Sequence, residues 1–186
     1  MGGAVSSVEA TPSTLIRCRA VALVGFMGSG KTSVGSRLAD RLGWTFVDAD
    51  DEVESLTGST IDGLFRDVGE EGFRQIEAGV TAELLQRRDV VVATGGGWPA
   101  AEEGRLEGLP EDVLSVWLRV DPGVAVKRIS SPDRRPLLAV DDPRARAMEL
   151  LEAREPAYRR ARVHLDSNDE SPDALADAIA RYVRNP

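Results

Sequence analysis

The residues Gly25-Phe26-Met27-Gly28-Ser29-Gly30-Lys31-Thr32 follow directly on the apolar run Ala20-Val21-Ala22-Leu23-Val24, and they restrict the fold more than any other stretch of the chain. Their spacing is GxxxxGKT, and beyond them apolar side chains recur at Val34, Leu38 and Leu42, the period of an amphipathic helix. A buried strand, a glycine loop and a helix, in that order, form the setting in which this pattern has physical meaning. Glycines let backbone amides curl around an anionic phosphate, and the helix N-terminus adds its partial positive charge. Gly28, Ser29 and Gly30 would form the cradle, with Ser33 just inside the helix. Lys31 is expected to reach the β- and γ-phosphates of a nucleoside triphosphate, and Thr32 to ligate magnesium.

A chain of 186 residues makes one domain with a sizeable core, too small to carry a separate substrate domain beside a nucleotide fold. Any acceptor site must then be an insertion. The formal charge of −8 argues against nucleic acid or an anionic membrane as the main partner. Arginines nevertheless crowd the stretch from Arg128 to Arg162, a local surplus suited either to a small polyanion such as ATP or to solvated helix faces. Cys18 is the only cysteine, so an internal disulfide is excluded; it reads as a small hydrophobe beside the first strand. No apolar run approaches the ~20 residues that span a bilayer, and the expectation is a soluble, cytoplasmic monomer. The opening Met1-Gly2-Gly3-Ala4-Val5-Ser6 matches the myristoylation pattern but reads as part of a flexible tail.

Residues 1–17 are small, polar and aperiodic, an expected disordered lead-in to a single domain over 18–186. Further strands are expected at 44–47, 90–94, 113–118 and 162–165, separated by helical patterns. Continuous apolar strands alternating with helices indicate a parallel sheet covered on both faces, a doubly wound α/β domain. Asp121-Pro122, Asp142-Pro143 and Ser171-Pro172 each place a capping side chain before a proline at the first helical position. The stretch 49–88 is longer than one crossover requires, with helical pieces at 51–57, 60–67 and 70–87, and is the insertion able to hold an acceptor.

Asp48 and Asp50 follow the second strand and so lie at the carboxyl edge of the sheet, on the side of the phosphate loop. Asp48 is the candidate for magnesium or its water shell; Asp50, one step out, is placed to orient or deprotonate a hydroxyl. The simpler alternative is that Asp50, Asp51 and Glu52 favour a helix N-terminus. Thr94-Gly95-Gly96-Gly97 ends the third strand on the same edge and would admit a ligand against bare backbone. Arg74 and Glu77 share a helix face, either as a surface pair or as a guanidinium that grips an acceptor carboxylate while the glutamate fixes its geometry. The polar, proline-bounded segment around Arg134-Arg135, about 129–142, reads as a basic surface loop or as a lid that closes on the γ-phosphate. His164, the sole histidine, sits in a strand pattern and is assigned a structural role.

In order, GFMGSGKT, the DAD after strand two, GEEGFRQIE, GGG, RRPLL and REPAYRRA resemble the shikimate kinase family over residues 19–184. The resemblance implies transfer of the ATP γ-phosphate to the 3-hydroxyl of shikimate, in the chorismate route to aromatic amino acids. It implies a P-loop NTPase fold of the nucleoside-monophosphate-kinase type, with a five-stranded parallel sheet of order 2-3-1-4-5. By position, Asp50, Arg74, Arg154 and Gly95, Gly96 and Gly97 would hold shikimate. Lys31, Asp50 and Arg135 would carry the transfer, Thr32 and Asp48 would serve Mg2+, and Arg128 with Pro172 would lie against adenine. Trp98 stands where the family usually has a slimmer residue, a bulky ring beside the acceptor loop, and Glu170 where some members carry arginine. Two other readings remain open: a kinase for gluconate or another cyclitol acid, and a nucleotide-dependent switch with no transfer chemistry.

Overall fold

A computed structural model describes residues 17–128 and 142–184. The expected lead-in up to residue 16 and the lid from residue 129 to 141, with Arg135, lie outside the described residues. Five strands, β1 (Ala20–Val24), β2 (Thr45–Asp48), β3 (Val90–Ala93), β4 (Val113–Arg119) and β5 (Val163–Asp166), form one sheet. All neighbours pair parallel, in the order β2-β3-β1-β4-β5. Among the described residues the helices are α1 (Lys31–Leu42), α2 (Ala49–Thr57), α3 (Ile61–Leu84), α4 (Pro122–Arg128), α5 (Pro143–Tyr158) and α6 (Pro172–Arg184), with a 3-10 turn at Trp98–Ala100.

β1 is central, and the two-residue period of a strand sends its side chains to two separate cores. Ala20, Ala22 and Val24 belong to a cluster with Trp98, Trp117 and Tyr158, whereas Val21 and Leu23 pack with Val34, Leu38, Leu175 and Ile179 of α1 and α6. Every one of these is buried, which explains the unbroken apolar run of a strand covered on both faces. The insertion has a small core of its own, Val53, Leu64 and Phe73. Cys18 is buried beside β1 as expected, and burial pushes its thiol pKa up.

Two of the three capping signals, Asp142 and Ser171, translate into side-chain hydrogen bonds. Asp142 Oδ1 accepts from the backbone N–H groups of Arg144 (3.1 Å) and Ala145 (3.0 Å), and Ser171 Oγ from that of Ala174 (3.1 Å). Asp121 begins α4 through its carbonyl, which accepts from Ala125 N–H at 2.9 Å. The insertion follows its expected outline: within α3 the pieces expected at 60–67 and 70–87 are two helical segments that meet at a kink on Gly69, whose φ of 72° and ψ of 179° no helical turn contains, and the second ends at Leu84. The bend turns the second half of α3 toward the carboxyl edge. His164 is exposed on β5, its ring edge-on to Trp117 at 5.2 Å and its Nε2 facing the carbonyls of Arg159 and Ala161.

Candidate active site

The loop between β1 and α1 is folded around positive-φ glycines, Gly25 (143°), Gly28 (77°) and Gly30 (87°). A β-carbon at Gly28 would stand 2.7 Å from the Ala125 carbonyl oxygen of α4, so the position tolerates glycine alone on two grounds. Ser29 is buried, Gly30 caps α1, and the freed amide ends of α1 face the loop. Lys31 Nζ donates to the carbonyls of Gly25 (2.8 Å) and Phe26 (3.1 Å) and so arches over the loop from which its helix starts. Ser33 is exposed, one residue inside α1.

β2 ends in a junction of two functions. Asp48 caps α2, its Oδ1 accepting from Asp50 N–H at 3.1 Å, while its Oδ2 accepts from Thr32 Oγ at 2.8 Å. The second bond ties the strand end to the first turn of α1. Asp50 therefore sits in the first turn of α2, where the helix dipole favours its charge, and it also borders the acceptor loop. The position in the first turn of α2 is the simpler of the two alternatives, and the approach to Gly95 leaves the other open.

That loop, Gly95-Gly96-Gly97, leaves β3 beside the phosphate loop. A β-carbon on Gly95 would collide with Glu77 Oε1 and stand 3.0 Å from Asp50 Oδ1; one on Gly97 would be 2.5 Å from Arg74 Cζ. One on Gly96 would lie 3.6 Å from both Gly25 O and Met27 N, and 3.8 Å from Arg154 Nη1. Three glycines thus touch, in turn, the α3 carboxylate, the donor loop with the α5 arginine, and the α3 guanidinium.

Arg74 Nη1 donates to Glu77 Oε2 at 2.7 Å and Arg74 Nη2 to Glu70 at 3.4 Å, with the Phe73 ring 5.2 Å below the guanidinium. Arg74 and Glu77 are accordingly no surface pair, since the Glu77 side chain is 1% exposed. Burial raises the Glu77 carboxyl above the usual range, against the pull of Arg74, and the nearby Asp50 charge adds to the rise. Arg154 is buried, and among the described residues no carboxylate forms an ion pair with it. A buried guanidinium in that state calls for an anionic ligand.

A protein-family model for shikimate kinase matches residues 27–184. The chain is 43% identical over 169 residues to a shikimate kinase of Caulobacter vibrioides, covering 91% of this chain and 84% of that one. It is 42% identical over 178 residues to one of Synechococcus sp. strain CC9605, covering 94% and 88%. The structure of shikimate kinase from Acinetobacter baumannii in complex with shikimate superposes with a TM-score of 0.84 at 36% identity, over 91% of this chain and 94% of that chain. This chain belongs to the shikimate kinase family. It is an ATP-dependent kinase, a phosphate-transferring enzyme on the P-loop NTPase fold, which settles the choice against a switch without transfer chemistry.

For a shikimate kinase, the residues expected to act together do converge. Thr32 meets Asp48, and Asp50, Arg74, Gly95, Gly96, Gly97 and Arg154 line one site beside Lys31. Arg128 Nη2 donates to Asn168 O at 2.7 Å, which brings the end of α4 to the loop that leads into Pro172. Trp98 departs from expectation: its ring turns away into the core, 3% exposed, with Arg105 Cζ 5.4 Å above it. Sequence reasoning gave Tyr158 and Arg105 no role, although Tyr158 reaches the acceptor loop, where its hydroxyl donates to Gly96 O. The only signal was spacing, since Tyr158 lies four residues, one helical turn, after Arg154.

Proposed function

We propose that this chain transfers the γ-phosphate of magnesium-bound ATP to the 3-hydroxyl of shikimate, giving shikimate 3-phosphate and ADP on the way to chorismate and the aromatic amino acids. The observation that carries this is the buried Arg154 without a carboxylate partner among the described residues, set beside Gly96 in the same site as Arg74 and Asp50. Two guanidiniums from different helices suit the carboxylate of a small hydroxy acid, and Asp50 suits its hydroxyls.

Lys31 would leave its two loop carbonyls to meet the β- and γ-phosphates, and the amides from Gly28 to Ser33 would hold the remaining oxygens. One carboxylate and one hydroxyl, Asp48 and Thr32, 2.8 Å apart, suit Mg2+, which keeps several waters and takes its other ligands from phosphates. The bound metal neutralises phosphate charge. Arg128 and Pro172 border the adenine, and Arg135 of the lid meets the phosphates. In a loose transition state positioning outweighs proton abstraction, so Asp50 orients the attacking hydroxyl first and takes its proton second. The whole of 18–186 is one catalytic domain, with the insertion at 49–88 and the lid at 129–142, acting as a cytoplasmic monomer; no described helix is long and apolar enough to cross a membrane.

A coupled ADP-release assay with magnesium-ATP and shikimate, beside gluconate and quinate, on wild type and Asp50→Asn, tests the reading. Turnover confined to shikimate and nearly lost in the variant is expected. Turnover with gluconate or quinate instead would replace the acceptor and keep the kinase.

A further inference from the structure

Tyr158 is fully buried, closing α5 one turn after Arg154. Its ring packs against Trp117 of β4 with centroids 6.0 Å apart, and its hydroxyl crosses the interior to donate to the Gly96 carbonyl, 62 residues away in sequence. Three groups meet at Gly96: the Tyr158 hydroxyl bonds its carbonyl, and where a β-carbon would stand lie Arg154 Nη1 at 3.8 Å and the donor-loop atoms Gly25 O and Met27 N at 3.6 Å. The Arg154 guanidinium also lies against the Tyr158 phenol. Burial drives the phenol pKa up to about 12, so the hydroxyl keeps its proton and remains a donor at every pH at which the enzyme works.

A run of three glycines has no side chains to hold it, and its backbone is free to wander unless something outside the loop fixes it. Of the loop's carbonyls, that of Gly95 is taken by Trp98 N–H at 3.1 Å and that of Gly97 by Ala100 N–H at 3.1 Å, both within the same short segment. The Gly96 carbonyl is bonded to a different part of the molecule. Pro156 lies between Arg154 and Tyr158 and lacks a backbone donor, so one ladder bond is missing from the turn that carries both side chains.

We infer that Tyr158 is a positioning residue for the acceptor, a strut that holds the glycine loop and Arg154 at a fixed separation so that the acceptor carboxylate finds both. The inference rests on the acceptor reading proposed above. A residue that merely filled the core would affect donor and acceptor alike; a strut on Gly96 acts on the acceptor.

Steady-state kinetics on wild type, Tyr158→Phe, Arg154→Lys and the double variant, with shikimate titrated calorimetrically in the absence of nucleotide, separate the two. Loss of the hydroxyl is expected to raise the KM and the Kd for shikimate about tenfold, the scale of one buried hydrogen bond. The KM for ATP should move less than twofold or so, because no bond to the phosphate loop is removed. In the double variant the loss should fall short of the product of the two single losses, since both act through one contact. Trp117→Phe, which loosens the same packing and keeps the hydroxyl, should lower Tm without separating the two KM values. An unchanged shikimate KM in Tyr158→Phe, a parallel rise in both KM values, or strict additivity with Arg154→Lys overturns the strut and leaves the proposed reaction standing. Wild type that neither binds nor phosphorylates shikimate removes the acceptor reading itself, and the strut with it.

Discussion

The donor and acceptor halves of the active site adjoin, yet they are made of different material. In the proposed site the phosphate cradle of the donor half is one continuous segment, residues 25–33, mainly backbone amides shaped by left-handed glycines and completed by one lysine, with Asp48, Arg128 and Pro172 added from elsewhere. The acceptor half is assembled from α2, α3, the loop after β3 and α5, and its groups are side chains, two of them, Glu77 and Arg154, charged and buried. A phosphate is the same in every nucleotide and can be held by backbone that any sequence supplies. A particular acid must be told from its neighbours, which takes charged groups in fixed positions and an interior that keeps water from them.

The largest expected effect lies in the donor half. Lys31→Met should lower kcat about a thousandfold, the scale of removing a charged transition-state donor, while calorimetric shikimate affinity stays as it was. A parallel loss of shikimate affinity would mean the two halves are one unit. Next comes Gly95→Ala, whose β-carbon would strike Glu77 and press on Asp50. A displacement of that kind near reacting groups should cost about a hundredfold in kcat/KM for shikimate, with the KM for ATP kept.

Glu77→Gln sharpens the contrast, because here function and stability should part. Activity should fall about tenfold as Arg74 loses the charged partner that aims it. Stability should rise at neutral pH. The native carboxyl has a raised pKa, so below the ordinary carboxylate range both folded and unfolded chains hold the proton and wild type carries no penalty. Between the ordinary carboxylate pKa and the raised native one the unfolded chain releases a proton that the folded chain still holds, so rising pH costs wild type stability that the amide never loses. The Tm advantage of the variant should therefore be near zero in acid, grow with pH and then level off, as a series of thermal melts would show. The smallest effect belongs to the surface: Arg160→Ala breaks an exposed pair with Glu107 at 3.4 Å, and neither Tm nor turnover should change measurably.

The difference in material also decides what a reader of the sequence can see. The phosphate loop is local, so spacing alone exposes it, and the alternation of apolar runs with helical patterns exposes the doubly wound sheet. Asp48 and Asp50 are legible because a strand end leaves few places for them to be. Arg74 and Glu77 were ambiguous, since a three-residue spacing fits a surface pair as well as a buried one, and only the approach of Gly95 from a distant strand decides it. Tyr158 was invisible as a functional residue because its partner is a carbonyl 62 residues away. Trp98 misled for the same reason: whether a ring turns toward a loop or into the core depends on Arg105 and the packing around it. The break at Gly69 is legible, because the glycine between the two helical patterns is the residue that leaves helical geometry in the structure.

The pairing of β1 with β3 has a mechanical consequence. Leu23 lies opposite Ala93, and Thr94 donates to Leu23 O through both its N–H and its hydroxyl, each at 3.1 Å. The phosphate loop and the glycine loop therefore spring from the same rung of one ladder, whose uprights stand about 4.8 Å apart in any sheet. The gap across which a phosphoryl group must pass is gauged by main-chain hydrogen bonds, as the jaws of a caliper are gauged by its beam. The helices of the insertion choose what is gripped. The sheet sets where the two loops start, and the Tyr158 strut carries that spacing out to the glycine loop.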